Sequence, residues 1–377
     1  MKKSSILIIM GLFLFIAAGC SNTDEQVSGN LTPAPGKLSV SDLNEILANL
    51  ELTESTLTYY GETTNTCKAN FAIRTESYIE KLQDFTWEEY HIPTEWDGSD
   101  GYRCVFTTPG ISLTAYQCGY DNECLLRVET ECGDGIFILP FIGDEKSYTT
   151  EQVSWMLWDT FEQWYQEAYT AELYNGHAGV SLTADELDWF MEYTASERST
   201  YDEEWGNYTS ATEISCFFTS QYDDPRDMNA QEFLYYCPGQ GNLESGDEDE
   251  FRFVQEKLDW RSGDDNHLFT IEEMPVPCHR LPRSYINEIL TKYAGITVED
   301  MHTDWLKEAF YIPETDCFYT FTSDFGPGMF LPRYGEKNGD IVTLWESPSA
   351  ESGISDMLVL QKNGESWHIL SHQPSTE

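Results

Sequence analysis

Residues 149–173 read TTEQVSWMLWDTFEQWYQEAYTAEL, and the rest of the chain is organised around this stretch. Thr149 followed by Gln152 has the spacing of a capping box, which predicts a helix from Thr150 to about Leu173. At helical spacing, Val153, Leu157, Phe161, Trp164, Ala168 and Ala171 share one stripe. Trp155, Trp158, Tyr165, Tyr169 and Leu173 share the neighbouring arc. A surface helix shows one apolar stripe about 100° wide. Two arcs call for two partners, so the helix is expected between two bodies, with Asp159, Gln163, Gln166 and Thr170 toward solvent. The functional alternative is that Trp158, Tyr165 and Tyr169 line a ligand groove. Core packing is the plainer reading of rings at helical spacing.

Upstream, residues 38–50 (LSVSDLNEILANL) have a helical stripe of Leu43, Ile46, Leu47 and Leu50, with Ser41 placed to cap it. Residues 65–90 suggest a short strand at Phe71–Ile73 and a helix ending near Phe85. Four strand-like runs follow: Tyr102–Thr107, Ile111–Cys118, Cys124–Glu131 and Gly135–Phe141. Pro109-Gly110, Asp121-Asn122 and Gly133-Asp134 separate them, which describes an antiparallel meander. Residues 38–148 therefore read as an α+β domain, and 149–180 as a connecting helix and its exit.

Downstream, Thr183-x-x-Glu186 opens a helix through Tyr193, Asn229 caps one to Tyr236, and others run over Phe251–Trp260 and Ser284–Tyr293, the last stopped by Gly295. Thr297-x-x-Asp300 starts one more, Glu213–Ser220 reads as a strand, and Pro275, Pro277 and Pro282 mark a connection. The end is strand-rich: Cys317–Ser323, Met329–Arg333, Ile341–Glu346, Met357–Gln361 and Trp367–His372. Lys337-Asn338-Gly339 and Asn363-Gly364 are hairpin signals. Residues 181–377 thus form a second α+β domain. The expected fold class is α+β, with two antiparallel meanders packed on helices and joined by a long aromatic-rich helix.

The N-terminus carries an address. Lys2 and Lys3 precede an apolar run, Ile6–Ile16, which is too short to cross a membrane at about 20 residues per span. Ala17-Ala18-Gly19-Cys20 closes it and resembles the lipobox of bacterial lipoproteins, departing from it only at Ala17, where Leu is frequent. Asn287–Thr297 (NEILTKYAGIT) and Thr322–Gly328 (TSDFGPG), with the meander-helix-meander order, resemble uncharacterised lipoproteins of gut clostridia. The resemblance implies removal of residues 1–19, acylation of Cys20 and an extracytoplasmic location. It implies no activity and no catalytic residue. Residues 20–37, polar with Pro33 and Pro35, read as a flexible tether.

The chain has 66 Asp+Glu against 21 Lys+Arg, a net charge of -45. No basic stripe is present to meet phosphates, which argues against a nucleic-acid partner. The 11 Trp, 22 Tyr and 20 Phe rule out a globally disordered chain. Of the 10 cysteines, removing Cys20 leaves an odd number. An exported chain permits disulfides, and Cys216, Cys237, Cys278 and Cys317 allow three pairings in two bridges, while Cys67, Cys104, Cys118, Cys124 and Cys132 leave one over. Reduced core cysteines are the alternative. No C-x-x-C pair offers a zinc site.

No catalytic motif stands out. There is no G-x-S-x-G, S-x-x-K, H-E-x-x-H or P-loop. His368 and His372 fall on a predicted strand, where four residues span about 13 Å, so one metal would not bridge them; both read as surface residues. Calcium is the one cofactor with a ligand-rich segment, at 244–250 (ESGDEDE) and Asp264-Asp265-Asn266, neither matching an EF-hand. A solvated acidic loop is the simpler reading. The expectation is therefore no catalytic residue and no cofactor. The favoured function is a lipid-anchored extracytoplasmic binding or interaction protein, held at a membrane through Cys20, with a glycan, peptide or protein as ligand. The alternatives are a surface hydrolase acting on glycans through an Asp/Glu pair and a non-catalytic envelope scaffold.

Overall fold

The computed structural model describes residues 36–92, 101–117, 124–139, 150–202, 206–238, 241–261, 267–274, 276–308, 310–321, 326–349 and 352–375. Cys20 and the segment around it lie outside these. The chain divides into two compact units, residues up to Tyr174 and Asn175–Glu377. Both mix helices with antiparallel sheets, so the class is α+β.

The first unit runs β1 (Gly36–Lys37), α1 (Val40–Ala48), β2 (Thr56–Tyr60), β3 (Thr64–Lys68), α2 (Thr75–Asp84), β4 (Glu88–Glu89), β5 (Arg103–Thr108), β6 (Ile111–Tyr116), β7 (Leu125–Thr130), β8 (Gly133–Ile138) and α3 (Thr150–Tyr174). The sheet order is β1-β8-β7-β6-β5-β2-β3, with β4 also paired to β8. The expected meander is present as β5 to β8. The hairpin β2–β3 was not anticipated, and the strand expected at Phe71–Ile73 is absent: Ala69–Phe71 is a 3-10 turn. Threonines fill the outer face of this hairpin, with Thr58 and Thr66 hydroxyls paired at 2.9 Å, and so mask its apolar alternation. Ser39, not Ser41, caps α1, in a reciprocal capping box with Asp42.

Helix α3 lies on this sheet. Leu157, Phe161, Trp164 and Ala168 enter one core with Leu57, Phe106, Leu113, Val128 and Phe137. The Trp164 ring stacks on Phe106 at 5.0 Å, and its indole N–H donates to the Ala69 carbonyl at 3.2 Å. The second arc is also met within this unit: Tyr165 stacks on Tyr59 at 5.0 Å, and Trp158 lies 5.9 Å from the same ring. Neighbouring strands sit about 4.8 Å apart, so a sheet this wide spans far more than one helix about 10 Å across and reaches both arcs. Thr170 is not on a solvent side. It is buried, its hydroxyl donating to the Gln166 carbonyl at 2.6 Å.

The second unit runs β9 (Val180–Ser181), α4 (Ala184–Tyr193), β10 (Glu197–Asp202), β11 (Gly206–Ala211), α5 (Ala230–Tyr235), α6 (Glu248–Leu258), β12 (Cys278–Pro282), α7 (Arg283–Ala294), α8 (Trp305–Glu308), β13 (Tyr311–Ile312), β14 (Cys317–Phe321), β15 (Tyr334–Asn338), β16 (Ile341–Trp345), β17 (Asp356–Asn363) and β18 (Ser366–Pro374). A five-stranded sheet has the order β18-β17-β16-β15-β9. Its two predicted hairpin turns form, with Gly339 and Gly364 both at φ 63°, a left-handed backbone that glycine adopts without strain.

Four expectations change here. The strand at Cys317 joins β12 and β13 in a separate three-stranded sheet rather than the meander. Met329–Arg333 is not a strand; pairing begins at Tyr334, and Met329 and Leu331 are exposed. Glu213–Ser220 is a 3-10 helix over Glu213–Phe218, buried from Ile214 to Phe218, a continuous apolar run that periodicity cannot tell from a strand. The proline-marked connection contains β12, whose Pro282 ends the strand where a missing N–H costs least. The capping boxes at Thr183/Glu186 and Thr297/Asp300 form, the latter on a 3-10 turn, and Gly295 caps α7 in the left-handed conformation.

Candidate functional site

The sequence-selected rings come together, but inside the first unit. Trp158 is 1% exposed and Tyr165 7%; Tyr169 stacks on Tyr165 at 5.5 Å and is half-buried at the edge. Burial pushes the phenols of Tyr59 (to about 12) and Tyr165 upward, with Glu162 reinforcing the effect at Tyr59. Rings so enclosed form core rather than an open groove. The Cys20 site lies outside the described residues, as do Asp264, Asp265 and Asn266.

The acidic loop at 244–250 turns its oxygens to other work. Asp247 accepts the Glu244 N–H at 3.0 Å, and Glu248 accepts the Gly246 N–H at 3.0 Å. Glu250 pairs with Arg280 at 2.9 Å and takes the Tyr319 hydroxyl at 2.7 Å. Among the described residues no three His, Cys, Asp or Glu side chains converge as a metal site.

Two features of the second unit have chemical character. The first is on α4. Leu187 and Phe190 bury its inner face, which turns Trp189 outward, 47% exposed. The ring is held from two sides. It stacks on Tyr193 one turn later (5.2 Å, 10°) and stands edge-on to Phe190 (4.9 Å, 89°). Tyr193 in turn donates its hydroxyl to the Trp367 carbonyl at 2.7 Å. Exposed Asp185 and Glu192, four residues before and three after, share the helical face of Trp189. The result is a fixed apolar ring flanked by hydrogen-bond acceptors. Sequence reading placed this helix but did not single out Trp189, whose i, i+4 spacing to Tyr193 was the available signal.

The second is at the end of the five-stranded sheet. Glu346 follows β16 and donates its backbone N–H to the Asp356 carbonyl at 3.0 Å, and its carboxylate accepts the Leu331 N–H. Burial pushes this carboxyl up to about 7; the Leu331 N–H holds it back, the Asp356 charge adds to the rise and Arg333 opposes it. The Asp356 carboxylate itself accepts from the Gln221 amide at 2.9 Å. His372, directly opposite Leu358 in the sheet, is 3% exposed, not a surface residue. Its Nδ1 meets the Ser220 carbonyl at 2.9 Å, and the rings of Phe218, Tyr222 and Phe330 surround it. Burial pushes its pKa down, so this histidine is neutral near pH 7. Glu346 is one acid among 66, which is why composition could not point to it. Two open depressions lie elsewhere, of about 470 Å³ beside Leu243 and Met274 and about 400 Å³ beside Val40 and Trp87. Against known proteins, no family model, no curated protein and no solved structure matches this chain.

Proposed function

We propose that this chain is a lipid-anchored extracytoplasmic binding protein, held at a membrane through Cys20, with a glycan as its ligand. The order of charged, apolar and small residues before Cys20 supports the anchor. The open, braced ring of Trp189 between Asp185 and Glu192 carries the binding reading. A sugar ring has an apolar C–H face that an aromatic ring covers and a rim of hydroxyls that carboxylates accept. Titration calorimetry of the full chain with soluble peptidoglycan and β-glucan oligosaccharides tests it. Trp189→Ala should abolish the heat of binding and leave the melting temperature within a few degrees. No heat from wild type with either class would refute the glycan reading. For the anchor, Cys20→Ala should release the protein or leave an uncut precursor; a variant still processed and membrane-bound would refute it.

One observation favours a second reading. A carboxyl raised to about 7 beside a second acid suits an acid/base pair of a glycan hydrolase. The same oligosaccharides, assayed for new reducing ends with wild type and Glu346→Gln, separate binding from hydrolysis.

A further inference from the structure

We infer that Cys216 and Cys237 are a disulfide-forming pair, closed while the second unit folds. All eight described cysteines stand as free thiols, and strand register eliminates two of the other pairings. Cys278 is opposite Phe321 while Cys317 is opposite Pro282, four positions apart along β12 and β14, or about 13 Å. A disulfide tolerates Cα atoms no more than about 7 Å apart. Cys67 and Cys104 lie on strands flanking β2, opposite Leu57 and Tyr59, two strand spacings across and two residues along, or about 12 Å apart. Cys216 and Cys237 differ. Their thiols interact directly, and both residues are buried.

The surrounding structure fixes both backbones. Cys216 sits in the 3-10 helix Glu213–Phe218, where its carbonyl accepts the Thr219 hydroxyl at 2.8 Å. Cys237 follows the end of α5, its N–H bonded to the Leu234 carbonyl at 3.4 Å. Between them Phe217 stands edge-on to Phe233 at 5.3 Å. A bridge would therefore tie the 3-10 turn to the end of α5, two segments that already pack on each other through these rings.

The chemistry is an exchange with an external disulfide, either glutathione disulfide or the disulfide of a thiol oxidase. One cysteine loses its proton, and its thiolate attacks the oxidant, forming a mixed disulfide and releasing one oxidant thiolate. The second cysteine, also deprotonated, attacks the mixed disulfide. The Cys216–Cys237 bond forms and the second oxidant thiolate leaves. Two protons and two electrons pass from the pair to the oxidant. Only a thiolate attacks, and burial beside Cys237 pushes the Cys216 thiol up, so the folded pair is slow and the exchange belongs to the folding chain. Occurrence in the cell rests on the export reading; the pairing does not.

The test refolds the reduced, unfolded full chain in a reduced/oxidised glutathione couple, then quenches, alkylates in denaturant and maps peptides. Most molecules should carry a peptide linking Cys216 to Cys237, with both lost from alkylation and Cys278 unlinked to Cys317. In Cys237→Ser, Cys216 should be recovered alkylated or capped by glutathione. Folded protein with both cysteines alkylated, or with either joined elsewhere, overturns the pairing. The same map on protein trapped in producing cells with N-ethylmaleimide separates the two readings. A bridge that forms in glutathione but is missing in the cell upholds the pairing and counts against export.

Discussion

Glu167 and Arg74 close the underside of α3. The Glu167 carboxylate is fully buried and accepts both the Arg74 backbone N–H and its Nε–H, each at 2.8 Å, with the Tyr78 hydroxyl at 3.0 Å. A carboxylate in the core is tolerable only when every lone pair so exposed to burial is met. The pair thus fixes where α2 begins against the long helix. Glu167→Ala should cost about 3–5 kcal/mol, because it strands a largely buried guanidinium. The double variant Glu167→Leu/Arg74→Met should recover much of that. Urea unfolding of the three proteins checks this; a single variant within about 0.5 kcal/mol of wild type would reject it.

Phe161 and Gln163 should separate core from surface on the same helix. Phe161 is buried among the sheet residues, while Gln163 is partly exposed. Phe161→Ala should destabilise by about 3–5 kcal/mol, and Gln163→Ala by less than about 0.5. Equal losses would mean that the two arcs do not differ in packing.

Glu336 holds the segment that enters the second unit. Its buried carboxylate accepts N–H groups from Gly176, Ala178 at 2.6 Å and Gly179 at 2.7 Å, and the Tyr334 hydroxyl at 2.7 Å. Burial alone would raise its pKa, but these donors outweigh it and the net direction is down. The stability it adds is present above the unfolded carboxyl pKa of about 4.3 and is lost as pH falls through the folded value. Glu336→Ala should cost about 3–5 kcal/mol at neutral pH and less in acid. Gly179→Ala should also destabilise, since a Cβ there would meet the Lys337 carbonyl oxygen at 2.2 Å. Amide exchange at Val180 and Ser181 that is unchanged in both variants would contradict this role.

Glu346 should show the opposite pH dependence. Its folded pKa, about 7, lies above the unfolded value, so the folded state binds the extra proton. Stability from this group is full below the unfolded pKa and falls as pH rises through about 7, by on the order of 3 kcal/mol. Glu346→Gln removes that titration. Relative to wild type it should be near neutral at about pH 4 and stabilising at about pH 8. A difference that stays constant across that range would show that Glu346 titrates normally.

Much of the local order is legible in the sequence. Helix α3, the meander β5 to β8, the cap at Thr183, the stop at Gly295 and the turns at Gly339 and Gly364 each follow from residues within a few positions of one another. Capping, left-handed glycine and period-two alternation are short-range effects, so a linear reading captures them. The candidate site was not legible in this way. Trp189 lay in a correctly placed helix, but its exposure depends on which face Leu187 and Phe190 bury. Glu346 owes its raised pKa first to burial and then to the Asp356 charge, against the Leu331 N–H and Arg333, and all of these are set by folding.

The sequence by itself determined the α+β class, the long aromatic helix and the strongly acidic character of the chain. Only the tertiary structure decided that both arcs of that helix meet the first unit's sheet, that Cys317 belongs to a separate sheet, and that Cys216 lies against Cys237. The physical reason is range. Helix and turn signals are set by neighbours along the chain, whereas sheet register, burial and thiol pairing are set by contacts between segments far apart in it.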